Sequence, residues 1–176
     1  MSQPVNLRVR PASAGDAVIL SQFMRRTFQD QYARDNTADN LQRYLHQSYS
    51  PSIQLKEIES GRHPVLLGEV DGVLAAFAQL RLGGPRPPCV EQSRCIELWR
   101  FYVDRPWQGR GVSWNLMSQV KREAGERGAP ALWLGVWERN PRAIAFYRKN
   151  GFGQIGTQLS SVGADPQTDL VLYCPL

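Results

Sequence analysis

Residues 100–113 read R-F-Y-V-D-R-P-W-Q-G-R-G-V-S, and this stretch decides the fold. A β-type run over residues 95–103 ends in a short turn, and a helical pattern over residues 114–127 follows at once. The first turn of a helix leaves backbone N–H groups without partners, and the helix dipole adds positive charge there. Gly109 and Gly111 have no Cβ, so the backbone can approach a bulky anion closely. The stretch therefore predicts a strand, an anion-binding turn and a helix in direct succession.

The turn differs from two well-known phosphate loops. The string G-x-x-x-x-G-K-[ST] of the P-loop is absent from the sequence. The Rossmann pattern G-x-G-x-x-G fails at its last glycine, where Trp114 stands. Arg105 and Arg110 add cationic side chains to the turn. These features favour a diphosphate ligand held by a different kind of loop.

A second stretch identifies that loop. Residues 134–152 read L-G-V-W-E-R-N-P-R-A-I-A-F-Y-R-K-N-G-F. This stretch resembles motif B of the GCN5-related N-acetyltransferases (GNAT), V-x-x-x-N-x-x-A-x-x-F-Y-x-K-x-G-F, and the turn string Q-x-x-G-x-S resembles their motif A. The two motifs occur in the expected order, separated by one helix and one strand. Together with residues 167–170, Q-T-D-L, the second stretch is most similar to the bacterial PaiA-type spermidine/spermine N-acetyltransferases.

The elements around the motifs predict one α/β domain over residues 1–176. Ser13-x-x-Asp16 forms a capping box that opens a helix, and an Asp-Gly turn joins two strands of a hairpin. Strands are predicted at residues 6–10, 64–70, 73–81, 95–103, 132–136, 156–161 and 169–173, and helices from residues 13, 37, 51, 114 and 140. Loops are predicted at residues 83–93 and 162–167. The resemblance implies the GNAT fold: a mixed, twisted central sheet with a splay between its two central parallel strands, and helices on both faces.

The resemblance also implies acetyl-coenzyme A as co-substrate. Pantetheine would enter the splay and pair with the strand that ends at Val103, while the glycine turn would hold the pyrophosphate. Ser113 stands where the family more often has glycine or alanine, and Asn140 combines a pantetheine contact with a helix N-cap. The residues expected to bind the cofactor are Phe101, Tyr102, Val103, Gln108, Gly109, Arg110, Gly111, Val112, Ser113, Asn140, Ala143, Phe146, Tyr147 and Lys149.

Two residues are expected to move protons. Tyr147 matches the family's general acid, and its ordinary pKa of about 10 lies near the value of about 8.5 for a leaving thiol. The alternative for Tyr147 is a core aromatic role. Related polyamine enzymes carry a glutamate where Trp99 stands. Glu97 lies two residues earlier, hence on the same face of the strand, and is the first candidate for the base through a water molecule, with Glu138 as the second. The alternative for Glu97 is a surface carboxylate or one paired with an arginine such as Arg100 or Arg94.

The acceptor site is predicted from aromatic and acidic residues. Phe28, Tyr32, Trp99, Trp137 and Glu138 are the candidate acceptor-binding residues, and Trp99 either stacks on a cationic amine or fills the groove. A polyamine would need an acidic groove, for which Asp30, Asp35, Glu97 and Glu138 are the candidates. Another small amine, a protein or peptide amine, and a non-catalytic acetyl-coenzyme A-binding module are the alternatives.

Composition excludes several other classes. The net charge of +5 suggests nucleic acid, but the basic residues are scattered, and Arg94, Arg100, Arg105 and Arg110 are expected around the diphosphate turn. Three cysteines without a C-x-x-C pair, and two histidines without ligand spacing, predict no disulfide framework and no metal site. The sequence lacks an apolar run of membrane-spanning length. The expected protein is a cytoplasmic monomer or homodimer that binds no membrane.

Overall fold

A computed structural model describes residues 5–34, 36–162 and 165–176. The strands are β1 (Leu7–Pro11), β2 (Val65–Val70), β3 (Val73–Arg81), β4 (Ile96–Val103), β5 (Ala131–Trp137), β6 (Gly153–Val162) and β7 (Asp165–Pro175). The helices are α1 (Ala17–Tyr32), α2 (Ala38–Tyr49), α3 (Pro51–Glu59), α4 (Val112–Glu126) and α5 (Pro141–Lys149), with 3-10 turns at Ala14–Asp16 and Arg105–Trp107. In the described part of the chain, the strands form one sheet in the order β1-β2-β3-β4-β5-β7-β6. The predicted mixed α/β sheet is confirmed.

Local sequence signals set the helix starts. Thr37 caps α2 by accepting a hydrogen bond from the backbone N–H of Asn40 at 3.3 Å. Asn140 caps α5 by accepting one from Ala143 at 3.1 Å. The prediction that the capping box of Ser13 and Asp16 begins an α-helix directly was wrong. This box begins a 3-10 turn, and α1 follows that turn. The chain thus makes one tight turn before the α-helix begins.

The β6–β7 hairpin is longer than the sequence predicts. The predicted bounds of the loop, residues 162–167, were wrong, since β6 reaches Val162 and β7 begins at Asp165. Residues 163 and 164 of that loop lie outside the described residues. The antiparallel ladder continues through Ser160 and Gln167, so cross-strand backbone pairing outweighs the polar, turn-like composition.

The two central strands diverge soon after they meet. The parallel strands β4 and β5 pair only at Ile96 with Leu132 and at Glu97 with Trp133, whereas β5 pairs with β7 along its whole length. Beyond Glu97, the edge of β4 that faces β5 therefore has no strand partner in the described chain. Unpaired backbone groups of this kind are costly unless a ligand or water satisfies them. The predicted splay is confirmed, and it opens toward the glycine turn.

Helices cover both faces of the sheet. On one face, α4 and α5 bury Leu116, Met117 and Ile144 against the sheet. On the other face, α1 and α2 bury Phe28 and Leu45 with neighbouring apolar residues against β2 and β3. None of the described helices is both long enough and apolar enough to span a membrane. The sheet is thus held between two apolar layers, and the splay is the gap left in its middle.

Candidate active site

A cavity of about 330 Å³ lies at the splay, and we call it the cofactor cavity. Its lining comes from four places in the chain: the end of β4, the glycine turn, the start of α5 and one side of α1. The lining residues are Thr27, Asp30, Gln31, Phe101, Tyr102, Val103, Asp104, Arg105, Gln108, Gly109, Ser113, Asn140, Arg142, Ala143, Phe146 and Tyr147. Ten of the residues predicted to bind the cofactor are among them.

The glycine turn has the backbone geometry that an anion site needs. Gly109 and Gly111 have positive φ angles of 75° and 85°, a conformation that residues with a Cβ adopt only under strain. The space beside both glycines is open within the described structure. Gly111 is the N-cap of α4, so the N–H groups of the first helical turn face this open side of the chain. The turn fits the diphosphate that the sequence predicts.

Gln108 ties the turn to the two elements beside it. Its Nε2 donates to the carbonyl oxygen of Val103 at 2.8 Å, and its Oε1 accepts from Arg142 Nη1 at 2.7 Å. Arg142 was not predicted for this site, although it lies inside the motif around Asn140. Arg142 stands at the start of α5 and brings a cation to the cofactor cavity. An arginine there suits a phosphate-bearing ligand.

Some of the predicted cofactor residues lie away from the cavity lining. Val112 is buried in the core below the turn, and Lys149 is exposed at the end of α5. The guanidinium of Arg110 lies over the ring of Trp107 at 5.3 Å. Their contacts with the cofactor, and that of Gly111, stay predictions.

Four arginines were predicted around the turn, and the prediction was wrong for two of them. Arg94 donates to the carbonyl oxygen of Gly128 at 3.0 Å, at the far end of α4. Arg100 is buried beneath α3, where it pairs with Glu57 at 2.7 Å. Of the four, Arg105 lines the cofactor cavity. The sequence could not separate these arginines, because their partners are distant in the chain.

A second cavity of about 330 Å³ lies on the other side of the splay, and we call it the acceptor groove. Aromatic residues of α1 and α2 form one wall, and strands β4 to β7 form the others. Its lining residues are Phe28, Gln31, Tyr32, Tyr44, Tyr49, Arg81, Glu97, Leu98, Trp99, Arg100, Phe101, Tyr102, Gly135, Val136, Trp137, Asn140, Ala143, Tyr147, Gln158, Ser160, Ser161, Gln167 and Asp169. Phe28, Tyr32, Trp99 and Trp137 were predicted for this site.

Tyr147 lies where the two cavities meet. It lines both, as do Phe101 and Asn140. Its side chain is buried and packs edge-on against Phe101 and Phe152, with ring centroids 6.3 and 5.7 Å away. Burial raises the pKa of Tyr147 well above its usual value, so the hydroxyl keeps its proton at neutral pH. Tyr147 is both a packed core aromatic and a protonated hydroxyl beside the cofactor cavity.

Glu97 lines the acceptor groove as one half of an ion pair. Its Oε2 accepts from Arg81 Nε at 2.6 Å, across the β3–β4 pair. Burial raises the pKa of Glu97, and the hydrogen bond and charge of Arg81 oppose that rise. The alternative to a base role named Arg100 or Arg94 as a partner of this carboxylate, but Arg81 pairs with it. Arg81 was not predicted, since a long loop separates it from Glu97 in the sequence.

A β-bulge at Trp99 changes which residues of β4 share a face. Gln79 pairs with Arg100 whereas Leu80 pairs with Leu98, so Trp99 is the extra residue of β4. The simple alternation that places Glu97 and Trp99 on one face therefore does not hold through this point. Glu97 and Trp99 nevertheless both line the groove.

Two arginines already cover the ring of Trp99. The guanidinium carbon of Arg100 lies 3.7 Å from the ring centroid and that of Arg81 lies 4.6 Å from it. The cation–π contact predicted for a substrate amine is thus made by the protein's own side chains. A contact of Trp99 with the acceptor stays a prediction.

The expected acidic groove is not what the described structure presents. Asp30 lines the cofactor cavity, and Glu138 is exposed and lines neither cavity. Asp35 lies outside the described residues. Of the four candidates, Glu97 alone lines the groove among the described residues, and it is paired with Arg81.

Asp169 is a groove carboxylate that the sequence analysis assigned no role. Burial raises its pKa, while hydrogen bonds from Ser160 and Gln158 oppose the rise. It stands above Gly135, where an added Cβ would lie 2.6 Å from Gln158 Nε2 and 3.2 Å from Asp169 Oδ2. In the described chain, no three His, Cys, Asp or Glu residues are grouped so that they could hold a metal ion.

Comparisons with known proteins agree with this geometry. The model of the Acetyltransferase (GNAT) family matches residues 22–152. An uncharacterized N-acetyltransferase of Lactobacillus delbrueckii subsp. lactis is 28% identical over 148 residues, which cover 84% of this chain and 85% of that protein. The spermidine N(1)-acetyltransferase of Thermoplasma acidophilum is 22% identical over 152 residues, with 84% and 89% covered.

A solved structure shows the same fold. The PaiA N-acetyltransferase of Thermoplasma acidophilum, in complex with coenzyme A, superposes with a TM-score of 0.78 at 19% identity, covering 97% of this chain and 99% of that one. The chain belongs to the GNAT family of acetyltransferases. It is an N-acetyltransferase whose co-substrate is acetyl-coenzyme A.

Proposed function

We propose that the chain transfers acetyl from acetyl-coenzyme A directly to the primary amine of a small molecule bound in the acceptor groove. The observation that carries this proposal is the position of Tyr147, which lines both cavities beside the unpaired edge of β4. Thioester and amine can therefore approach the same hydroxyl from opposite sides. Aromatic side chains form one wall of the groove, and its volume of about 330 Å³ favours a small acceptor over an extended protein surface.

Three sets of groups bind the cofactor: the glycine turn with Arg142, the backbone of β4, and the side chain of Asn140. The glycine turn and Arg142 bind the diphosphate. The stretch of β4 from Phe101 to Val103, which β5 does not pair with, binds pantetheine through its backbone. Asn140 uses its Oδ1 for the α5 cap, which leaves its amide N–H groups as donors for a ligand. The cap and the ligand contact are thus compatible in one side chain.

The chemistry follows from the groups at the junction. The amine attacks the thioester carbonyl, strand N–H groups of β4 hold the developing oxyanion, and Tyr147 donates its proton to the departing sulfur. The acetyl group passes directly, because none of the described cysteines lines either cavity. Acetyl ends on nitrogen as an amide, and the thiol leaves with the proton from Tyr147. The proton that the nitrogen loses on becoming an amide restores the protonated form of Tyr147.

A base is needed because the amine is mostly protonated at neutral pH. An alkylamine with a pKa of about 10.4 lies roughly 3.4 units from its nucleophilic form at pH 7, which is about 4.6 kcal/mol. Glu97 is the proposed acceptor of this proton, through a water molecule. Its raised pKa makes it a better base than an exposed carboxylate, although Arg81 weakens it.

A polyamine is the second candidate acceptor. Two observations favour it: a relative named as a spermidine acetyltransferase, and the Asp169 carboxylate, which has no ion-pair partner in the described structure. The charges of Arg81 and Arg100 weigh against a polycation, because both line the groove.

The test is thiol release from acetyl-coenzyme A with a panel of acceptors, with each acetylated product identified by mass. The panel contains spermidine, spermine, simple amines, amino acids and short peptides. Release with a small amine supports the proposal, and release with peptides alone contradicts the small-molecule acceptor. Tight binding of acetyl-coenzyme A with no transfer to any acceptor would favour a non-catalytic module.

A further inference from the structure

Charges in the acceptor groove are balanced rather than acidic. Four ionisable side chains other than tyrosine line it in the described chain: Arg81, Arg100, Glu97 and Asp169. Two are cationic and two are anionic. A balanced groove favours an acceptor that itself carries both signs of charge over a polycation.

Arg100 is not available to a ligand. Its Nη1 donates to Glu57 Oε2 at 2.7 Å and to Gln79 Oε1 at 2.6 Å, and its side chain is 7% exposed. The guanidinium is also stacked between the rings of Trp99 and Tyr49, at 3.7 and 4.9 Å. These contacts make Arg100 part of the groove's framework.

Arg81 can still donate hydrogen bonds to a ligand. Its Nε pairs with Glu97, while its two terminal nitrogens make no hydrogen bond with any described residue. The side chain is 24% exposed, and it lies over Trp99 with the loop at Gly84 packed behind it. A Cβ on Gly84 would come within 2.9 Å of Arg81 Nε, so the loop backbone holds this guanidinium closely. The result is a positioned cation with an open hydrogen-bonding edge, on a residue that lines both the groove and a neighbouring cavity.

We infer that the acceptor is an amine that also carries a carboxylate, and that Arg81 binds this carboxylate through its terminal nitrogens. This inference rests on the proposed function and names its substrate class. The planar edge of a guanidinium matches the two oxygens of a carboxylate, and a singly charged group suits an arginine that already shares its charge with Glu97. Asp169 faces the same groove and supplies the carboxylate that attracts the amine end.

The experiment compares acceptors that carry either a carboxylate or a neutral carboxamide, with rates referred to the concentration of unprotonated amine. Amino acids and the corresponding carboxamides are assayed by thiol release with the same preparation of enzyme. The wild-type protein is expected to prefer the free acids in kcat/KM by about 10- to 100-fold, the range of hydrogen bonds to a charged group. Carboxamides or polyamines used as well as the acids would overturn the inference and leave acetyl transfer standing. No transfer to any amine would overturn the proposed function and the inference together.

Variants of Arg81 test whether this residue causes the preference for acids. Arg81→Gln is expected to remove most of the preference for acids by raising their KM, with the KM for acetyl-coenzyme A nearly unchanged. Because Arg81 also pairs with Glu97, any change in kcat is expected to be equal for acids and carboxamides. Arg81→Lys keeps a cation beside Glu97 and is expected to retain part of the preference, which covers the case in which Arg81→Gln fails to fold. Arg86→Gln is the matched control, because Arg86 lines a neighbouring cavity and not the groove. An equal loss for acids and carboxamides in both Arg81 variants would show a structural role and overturn the inference.

Discussion

Glu97 shows how one side chain can combine a structural and a chemical role. Its ion pair with Arg81 fixes the carboxylate at the groove wall, and burial raises its pKa. We expect Glu97→Gln to slow turnover roughly 10²–10⁴-fold, the usual contribution of a general base. The wild-type rate should fall as the pH drops through the pKa of Glu97, which lies above the ordinary value of about 4.3, and the variant should lose this limb. The measurement is kcat/KM against pH for both proteins.

Glu138 provides the competing outcome for that test. Its side chain is exposed and lines neither cavity. If Glu97→Gln keeps the wild-type pH profile while Glu138→Gln loses the acidic limb, the base is Glu138. If neither variant loses the acidic limb of the pH profile, another group in the groove removes the proton.

At the scale of elements, Gly135 on β5 keeps the groove floor open beneath Gln158 and Asp169. An added Cβ would lie 2.6 Å from Gln158 Nε2, a distance that forces this side chain to move. Because the moving atom ends a flexible side chain, we expect Gly135→Ala to fold normally. Its KM for the acceptor should rise about tenfold as the polar lining shifts, with the KM for acetyl-coenzyme A unchanged.

Gly153→Ala is the control for that variant. Gly153 begins β6, and its added Cβ would meet no described atom within 4 Å. We expect wild-type kinetics from it. Equal acceptor KM values for Gly135→Ala and the wild type would show that Gln158 and Asp169 do not shape the binding site.

A second element-scale prediction concerns the first strand. Arg10 of β1 bridges Asp16 of the following turn, at 2.8 Å, and Glu69 of β2, at 2.8 Å. The hydrogen bond from Arg10 holds the pKa of Asp16 well below its usual range. A lowered native pKa means that Asp16 stabilises the fold above its unfolded pKa of about 3.9, and this contribution is lost as the pH falls further. Asp16→Asn should therefore lower the free energy of unfolding by about 1 kcal/mol at pH 7.

Urea unfolding at two pH values checks this prediction. The difference between Asp16→Asn and the wild type should shrink between pH 7 and about pH 3. Glu126→Gln is the control, because the pair of Glu126 with Arg122 is exposed and 3.7 Å long. A difference that persists unchanged at low pH would show that the charge of Asp16 is not the cause.

On the scale of the whole molecule, the order of elements and the cofactor side followed from the sequence. The glycine turn between a strand and a helix, and the stretch around Asn140 and Tyr147, are local patterns that the fold leaves intact. The two parallel strands were likewise predicted from short apolar runs. Such features depend on neighbours in the chain, which is why the sequence contains them.

The side-chain pairs of the acceptor groove could not be predicted from the sequence in the same way. The pairing of Arg81 with Glu97 depends on the β3–β4 register, and the position of Trp99 depends on a bulge in that register. Asp169 meets Gln158 only through the β6–β7 ladder. Charges that the sequence places near one another, such as Arg94 and Arg100, end at opposite parts of the fold. Tertiary pairing therefore decides the acceptor side, and sequence spacing does not reveal it.

The most direct test of the central claim is the turnover of Tyr147→Phe beside its affinity for acetyl-coenzyme A. The claim is that the two cavities meet at a hydroxyl that gives its proton to the leaving thiol. Tyr147→Phe keeps the aromatic packing against Phe101 and Phe152, so the variant should fold and bind acetyl-coenzyme A as the wild type does. We expect its kcat to fall roughly 10²–10⁴-fold. Wild-type turnover in a variant that binds acetyl-coenzyme A normally would contradict the claim and remove Tyr147 from the chemistry.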